Sequence, residues 1–139
     1  MSMTAIVFHR HHGPTRYCAQ LLADRLHSLG RRAQQTPVAE ASPHEIVRAQ
    51  AMVLVSPVTL GRLHGAALAR DVAMARPTAV VLVGENDVSK HVRGLFNEEQ
   101  LRNMAFFAVP GDKPDMDSVA PVADWISALS GMGADPDML

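Results

Sequence analysis

Short apolar runs bounded by turn-forming residues alternate along this chain with stretches whose apolar positions recur at helical spacing. Thr4 to Phe8 is the first such run, and its unbroken apolar character suits a strand buried on both faces of a parallel sheet. Cys18, Leu21, Leu22, Leu26 and Leu29 then mark one face of a helix, with Pro14 at its first position and Gly30 where it stops. Ala33 to Val38 is mostly polar and carries Pro37, which places it at a sheet edge. Ser42 and Glu45 have the spacing of a capping box ahead of a short helix to about Ala49. Ala51 to Ser56 is a second buried strand, followed by an alanine-rich helix from Ala66 to Ala75 that Pro77 ends. Thr78 to Val83 is the most apolar strand and is expected at the centre of the sheet. The stretch through Lys90, His91 and Arg93 to Phe96 has no clear pattern. Asn97 and Gln100 make a second capping pattern for a helix from Glu98 to Asn103, ahead of a last strand, Met104 to Val109. The final helix sets Val119, Val122, Ile126 and Leu129 on one face, with Trp125 beside it.

Strands that alternate with helices predict an open parallel α/β sheet covered on both faces. Ligands in such folds sit beyond the carboxyl ends of the strands. Three loops can meet there: His9 to Thr15, Pro57 to Gly65, and Gly84 to Asp87. The first joins a strand to a helix start, where unpaired backbone N–H groups and the helix dipole favour an anion such as phosphate.

Composition narrows the field. At 139 residues the chain is expected to form one domain over residues 1–131, with a fraying tail at 132–139 rich in glycine and aspartate. An apolar share of 47% with 19% charged residues fits an ordinary globular protein. A net charge of -1 gives no overall nucleic-acid footprint. No apolar run is long enough for a membrane span and no signal-like segment opens the chain, so the cytoplasm is the expected location. The single cysteine, Cys18, falls on the apolar helix face, as a core residue or less simply as a reactive thiol.

The order of these features carries a resemblance. A strand and a turn ending in Gly13-Pro14-Thr15, a strand ending Ser56-Pro57, the string Gly61-Arg62-Leu63-His64, and Phe96-Asn97-Glu98-Glu99-Gln100-Leu101 before a last strand together resemble the flavodoxin-like proteins. The nearest group in pattern is the short flavodoxin-domain proteins related to menaquinone-dependent protoporphyrinogen oxidase, and the likeness runs from Met3 to Leu129. It implies a doubly wound five-stranded parallel sheet of order 2-1-3-4-5 and a site for FMN. It also implies electron transfer or flavin-dependent oxidoreduction, with a redox partner protein or a small acceptor such as a quinone. Carried over by position, His9, Arg10, His11, His12, Gly13, Pro14 and Thr15 wrap the phosphate. Pro57, Val58, Thr59, Leu60 and Gly61 border one side of the isoalloxazine, and Gly84, Glu85, Asn86 and Asp87 the other. The chemistry belongs to the cofactor, and the loops tune it.

Where the family uses small hydroxyl residues to hold phosphate, this loop has His9, Arg10, His11 and His12, with Arg16 just inside the helix. Cationic side chains thus stand in for hydroxyl donors. The alternative function is a flavodoxin-fold module without FMN that binds another anion or a protein partner. A metal held by His9, His11 and His12, joined by His64 or His91, is a further possibility, weakened by the absence of any carboxylate in the loop. Arg62 and His64 are either ligand contacts or a polar rim. Glu98 and Glu99 fit a helix's first turn for dipole reasons alone.

Overall fold

Five parallel strands carry the architecture: β1 (Met3–Phe8), β2 (Arg32–Pro37), β3 (Ala51–Thr59), β5 (Thr78–Val83) and β6 (Met104–Val109). They lie in the order β2-β1-β3-β5-β6, and a two-residue strand β4 (Arg62–Leu63) folds back antiparallel on the end of β3. Counting only the parallel strands, this is the order 2-1-3-4-5. The computed structural model describes residues 3–59, 62–92, 94–111 and 113–132. Leu60 and Gly61 of the second loop, and the tail from residue 133 onward, lie outside the described residues.

The apolar strands are buried on both sides because their alternate residues feed two separate cores. Ile6, Val53, Val55, Val81 and Val83 face α1 (Gly13–Ser28) and α6 (Met116–Met132). Ala5, Val7, Met52, Leu54, Val80 and Leu82 face the opposite layer, built from α2 (Pro43–Ile46), α3 (Ala66–Ala73), α4 (Ser89–Val92) and α5 (Glu98–Leu101). Thr78 to Val83 is buried throughout, as its composition predicts, but β3 is the middle strand.

Several boundaries differ from expectation. Val38 opens a short 3-10 turn instead of ending β2. Ser42 is the N-cap of α2, as expected, but the capping box does not form: its side chain makes no capping bond, and the Glu45 and Ile46 N–H groups donate to the Ser42 carbonyl instead. The second capping box is present in full. The Asn97 side chain accepts from Gln100 N at 2.8 Å, and the Asn97 N–H donates to Gln100 Oε1 at 2.8 Å. The unpatterned stretch contains the one-turn α4, and α6 ends at Met132.

Candidate functional site

The register brings the loop origins side by side. Phe8 at the end of β1 pairs with Val55 in β3, and Pro57 in β3 pairs with Val83 at the end of β5. The loops after β1, β3 and β5 therefore leave the same edge of the sheet, with the N-terminus of α1 among them.

The first loop is anchored by the His9 N–H, which donates to the Val55 carbonyl at 3.2 Å. Arg10 and His11 are exposed, and His12 is the half-buried N-cap of α1. His12 Nδ1 and Thr15 Oγ1 share a hydrogen bond of 2.7 Å, and Thr15 is fully buried. Its hydroxyl is therefore turned into the protein and engaged there. Gly13 is exposed and has open space around it: a Cβ placed there would meet nothing within 4 Å.

The second loop begins later than expected. Pro57, Val58 and Thr59, assigned to a loop from sequence, continue β3, and Val58 and Thr59 pair with Leu63 and Arg62. Buried Ser56 closes this hairpin, its hydroxyl donating to the Pro57 carbonyl at 2.7 Å and accepting from the His64 N–H at 3.2 Å. That bond holds His64 over the first loop. The rings of His9 and His64 stack with centroids 4.0 Å apart and planes 17° apart, and His11 meets His9 edge-on at 5.7 Å. His64 Nε2 is buried with no hydrogen-bond partner.

The third loop starts at Gly84, whose positive φ of 87° lets the chain turn while its N–H donates to the Val109 carbonyl at 2.7 Å. Glu85 Oε2 accepts from His91 Nε2 at 2.9 Å. Asn86 and Asp87 are exposed. The Asp87 carboxylate accepts from the Ser89 hydroxyl and N–H, which hold its pKa below the usual carboxylate value.

The histidines are arranged for stacking. Among the described residues no group of three or more His, Cys, Asp or Glu side chains could hold a metal ion, and His91 is committed to Glu85. Cys18 sits in the core, where burial pushes its thiol up to about 12, so it is an inert core residue at neutral pH. A cavity of about 70 Å³ lies away from these loops, between β1, β2 and α2, lined by Met3, Gln34, Thr36 and Glu45 among others.

Burial, followed by the neighbouring His64, His11 and His12, lowers the pKa of His9 from its ordinary 6.5. The unfolded chain therefore takes up this proton more readily than the folded one. The stability His9 contributes is present in full above pH 6.5 and is lost as the pH falls below it toward the folded-state value. Urea midpoints measured from pH 8 to pH 5 are expected to fall in the parent protein and to fall less in His9→Gln. Equal slopes in the two would show that His9 is not an origin of the pH dependence.

The loop presents two kinds of anion donor. In α1's first turn the Gly13 and Thr15 N–H groups lack an intrahelical acceptor, Pro14 has no N–H, and the Arg16 N–H donates to the His12 carbonyl at 3.1 Å. Arg10 and Arg16 are exposed beside them. With open space at Gly13, this set fits a phosphate held by backbone and guanidinium groups. The β3–β4 hairpin beside it offers half-buried Val58, buried Leu63 and the His64 imidazole.

No family model matches the sequence, and no curated protein matches it. Solved structures do match in shape. A flavodoxin of Streptococcus pneumoniae TIGR4 superposes with a TM-score of 0.69 at 15% identity, over 95% of this chain and 100% of that one. A short-chain flavodoxin associated with a non-canonical PDU bacterial microcompartment gives 0.73 at 13% identity, over 96% and 100%. Two-electron reduced flavodoxin of Megasphaera elsdenii gives 0.65 at 12% identity, over 94% and 100%. Among the described residues no helix is long and apolar enough to cross a membrane. The chain has the flavodoxin fold, a doubly wound parallel sheet with helices on both faces, matched over nearly its whole length.

Proposed function

We propose that this protein binds FMN at the loops following β1, β3 and β5 and passes electrons or hydride equivalents between a donor and an acceptor. The acceptor is a redox partner protein or a small quinone-like molecule. The observation that carries this reading is the strand–turn–helix from Phe8 to Gly13, which sets the N-terminus of α1 beside the β3–β4 hairpin at the carboxyl edge of a flavodoxin sheet. FMN, when bound, supplies the redox chemistry. The chain's own residues bind and orient it: Arg10, Arg16 and the first-turn N–H groups hold the phosphate. Val58, Leu63 and His64 line one side of the ring, and the Gly84 to Asp87 loop lines the other.

Comparison of FMN with riboflavin, which lacks the phosphate, tests this directly. A ligand at 100 times its Kd stabilises the native state by about 2.7 kcal/mol, so FMN is expected to raise the melting temperature and riboflavin to raise it less. Arg10→Ala is expected to weaken FMN roughly tenfold or more, the scale of a charge-assisted hydrogen bond, and to leave riboflavin unchanged. If neither flavin moves the melting temperature, the reading fails.

A second reading draws on the Thr15 hydroxyl, engaged by His12, and on the stacked rings of His9 and His64: the same loops take another anion or a protein partner and no flavin. Inorganic phosphate would then stabilise the protein as well as FMN does at equal concentration.

A further inference from the structure

We infer that the face around these loops docks the acidic surface of a partner protein, the opposite polarity to an acidic carrier that seeks a basic one. The inference rests on the electron-transfer reading for its purpose: Arg62 and Tyr17, which that reading does not commit to the phosphate, carry the surface with flavin bound, and Arg10 and Arg16 join them without it. Asp and Glu are absent from residues 1–23 and again from residues 46–70, the two segments that supply the first and second loops. Those segments contribute Arg10, Arg16 and Arg62, all exposed. The chain as a whole carries a net charge of -1, so these two loops, with arginine and no carboxylate of their own, differ in sign from the average of the chain.

Stacking of His64 on His9 fixes the hairpin that bears Arg62 against the loop that bears Arg10. The carboxylates sharing this edge lie on the flanking segments: Glu40 after β2, Glu85 and Asp87 after β5, and Asp115 and Asp117 around the start of α6. Glu85, Asp87 and Asp115 accept hydrogen bonds from His91, Ser89 and Ser118. Tyr17, the only tyrosine, is 54% exposed next to Arg16 on α1. Tyrosine and arginine are the residue types that most often dominate protein interfaces. Opposite charge would speed and orient the encounter, with strong dependence on salt.

Hexaglutamate serves as the acidic probe and hexalysine as its control, each titrated into isotope-labelled protein at pH 7.5 and low salt, without FMN and with it. Hexaglutamate is expected to shift amide signals of residues 10–17 and 62–64, and 0.3 M salt should abolish the shifts, as expected from a Debye length well under 10 Å. The double variant Arg16→Glu with Arg62→Glu should lose at least tenfold in affinity, while Arg16→Lys with Arg62→Lys keeps most of it. Shifts centred on other arginines, or tighter binding of hexalysine, would overturn the inference. Tighter binding of a thymidine hexanucleotide than of hexaglutamate at the same residues would also overturn it and point to a nucleic acid. Because the titration is also run without flavin, failure of FMN to bind leaves the docking result readable on its own.

Discussion

Gly65→Ala is expected to destabilise the protein by about 2–5 kcal/mol and to displace His64 from His9. Two costs coincide at this position. Gly65 has a φ of +88°, a left-handed conformation that charges any residue with a Cβ about 1–2 kcal/mol. A Cβ built there also comes within 2.7 Å of Leu54 Cδ1 and 3.4 Å of Val38 Cγ2. Leu54 is fully buried in the middle strand, so relief requires repacking a close-packed core, typically another 1–3 kcal/mol. Gly84 separates the two effects. Its φ is +87°, but the nearest atom to an added Cβ is the Gly111 carbonyl oxygen at 3.9 Å, so Gly84→Ala should show the backbone cost alone. The urea midpoint should fall further for Gly65→Ala than for Gly84→Ala at unchanged slope. Equal losses would mean that Leu54 yields without cost. The site should respond too, because Gly65 is the N-cap of α3 and the residue immediately after His64. The signals of His9 should move in Gly65→Ala and stay in place in Gly84→Ala.

The parallel sheet was legible because strands buried on both faces leave continuous apolar runs, and β1, β3 and β5 are such runs. The misread end of β3 has a local cause. Proline lacks a ladder donor, and Pro57 therefore looks like the start of a loop. Pairing of β3 with β1 ends at Val55, and beyond it that side of β3 meets only the hairpin, from Val58. A missing N–H at residue 57 therefore leaves no ladder bond unmade. The Ser42 pattern failed for a different reason. Its helix is a single turn of four residues with Pro43 at the first position, and the turn closes on the Ser42 carbonyl without needing the hydroxyl. Asn97 and Gln100 have the same spacing, and there both reciprocal bonds form.

At the candidate site, the position of the first loop followed from strand, turn and helix start, but its internal contacts did not. Thr15 is a case where a signal was present. It shares a helical face with Cys18, Leu22 and Leu26, and that periodicity points it into the core. The stack of His9 on His64 left no comparable trace. The two are far apart in sequence and meet only because β3 runs beyond Ser56 and turns back at β4. Sequence pattern marks which residues are apolar at which spacing, and a contact between polar tips of two loops depends on a hairpin whose length it did not reveal.

Leu22→Ala is expected to cost about 2–5 kcal/mol, the range for truncating a fully buried leucine, and to leave the ligand site intact. Leu22 is 1% exposed in the core that also contains Ile6, Val53, Val122 and Ile126, where α1 lies against the sheet beside α6. Its removal leaves a cavity among side chains already in contact, and the size of the loss depends on how far α1 and α6 can close over it. The loss should not reach the loop. Leu22 lies roughly 13 Å along the helix from Gly13, and substitutions that far apart with no shared partners act almost independently. An anion bound at the start of α1 should therefore add the same free-energy increment to Leu22→Ala as to the parent protein, measured as the displacement of the urea midpoint by saturating FMN. In Arg10→Ala the baseline stability should barely change, because Arg10 is exposed, while the increment shrinks. The two variants thus separate the helix as a packed element from the helix as an anion site. A reduced increment in Leu22→Ala would mean that core packing sets the loop's geometry from a distance. An undiminished one in Arg10→Ala would mean that the phosphate is held by groups other than this guanidinium.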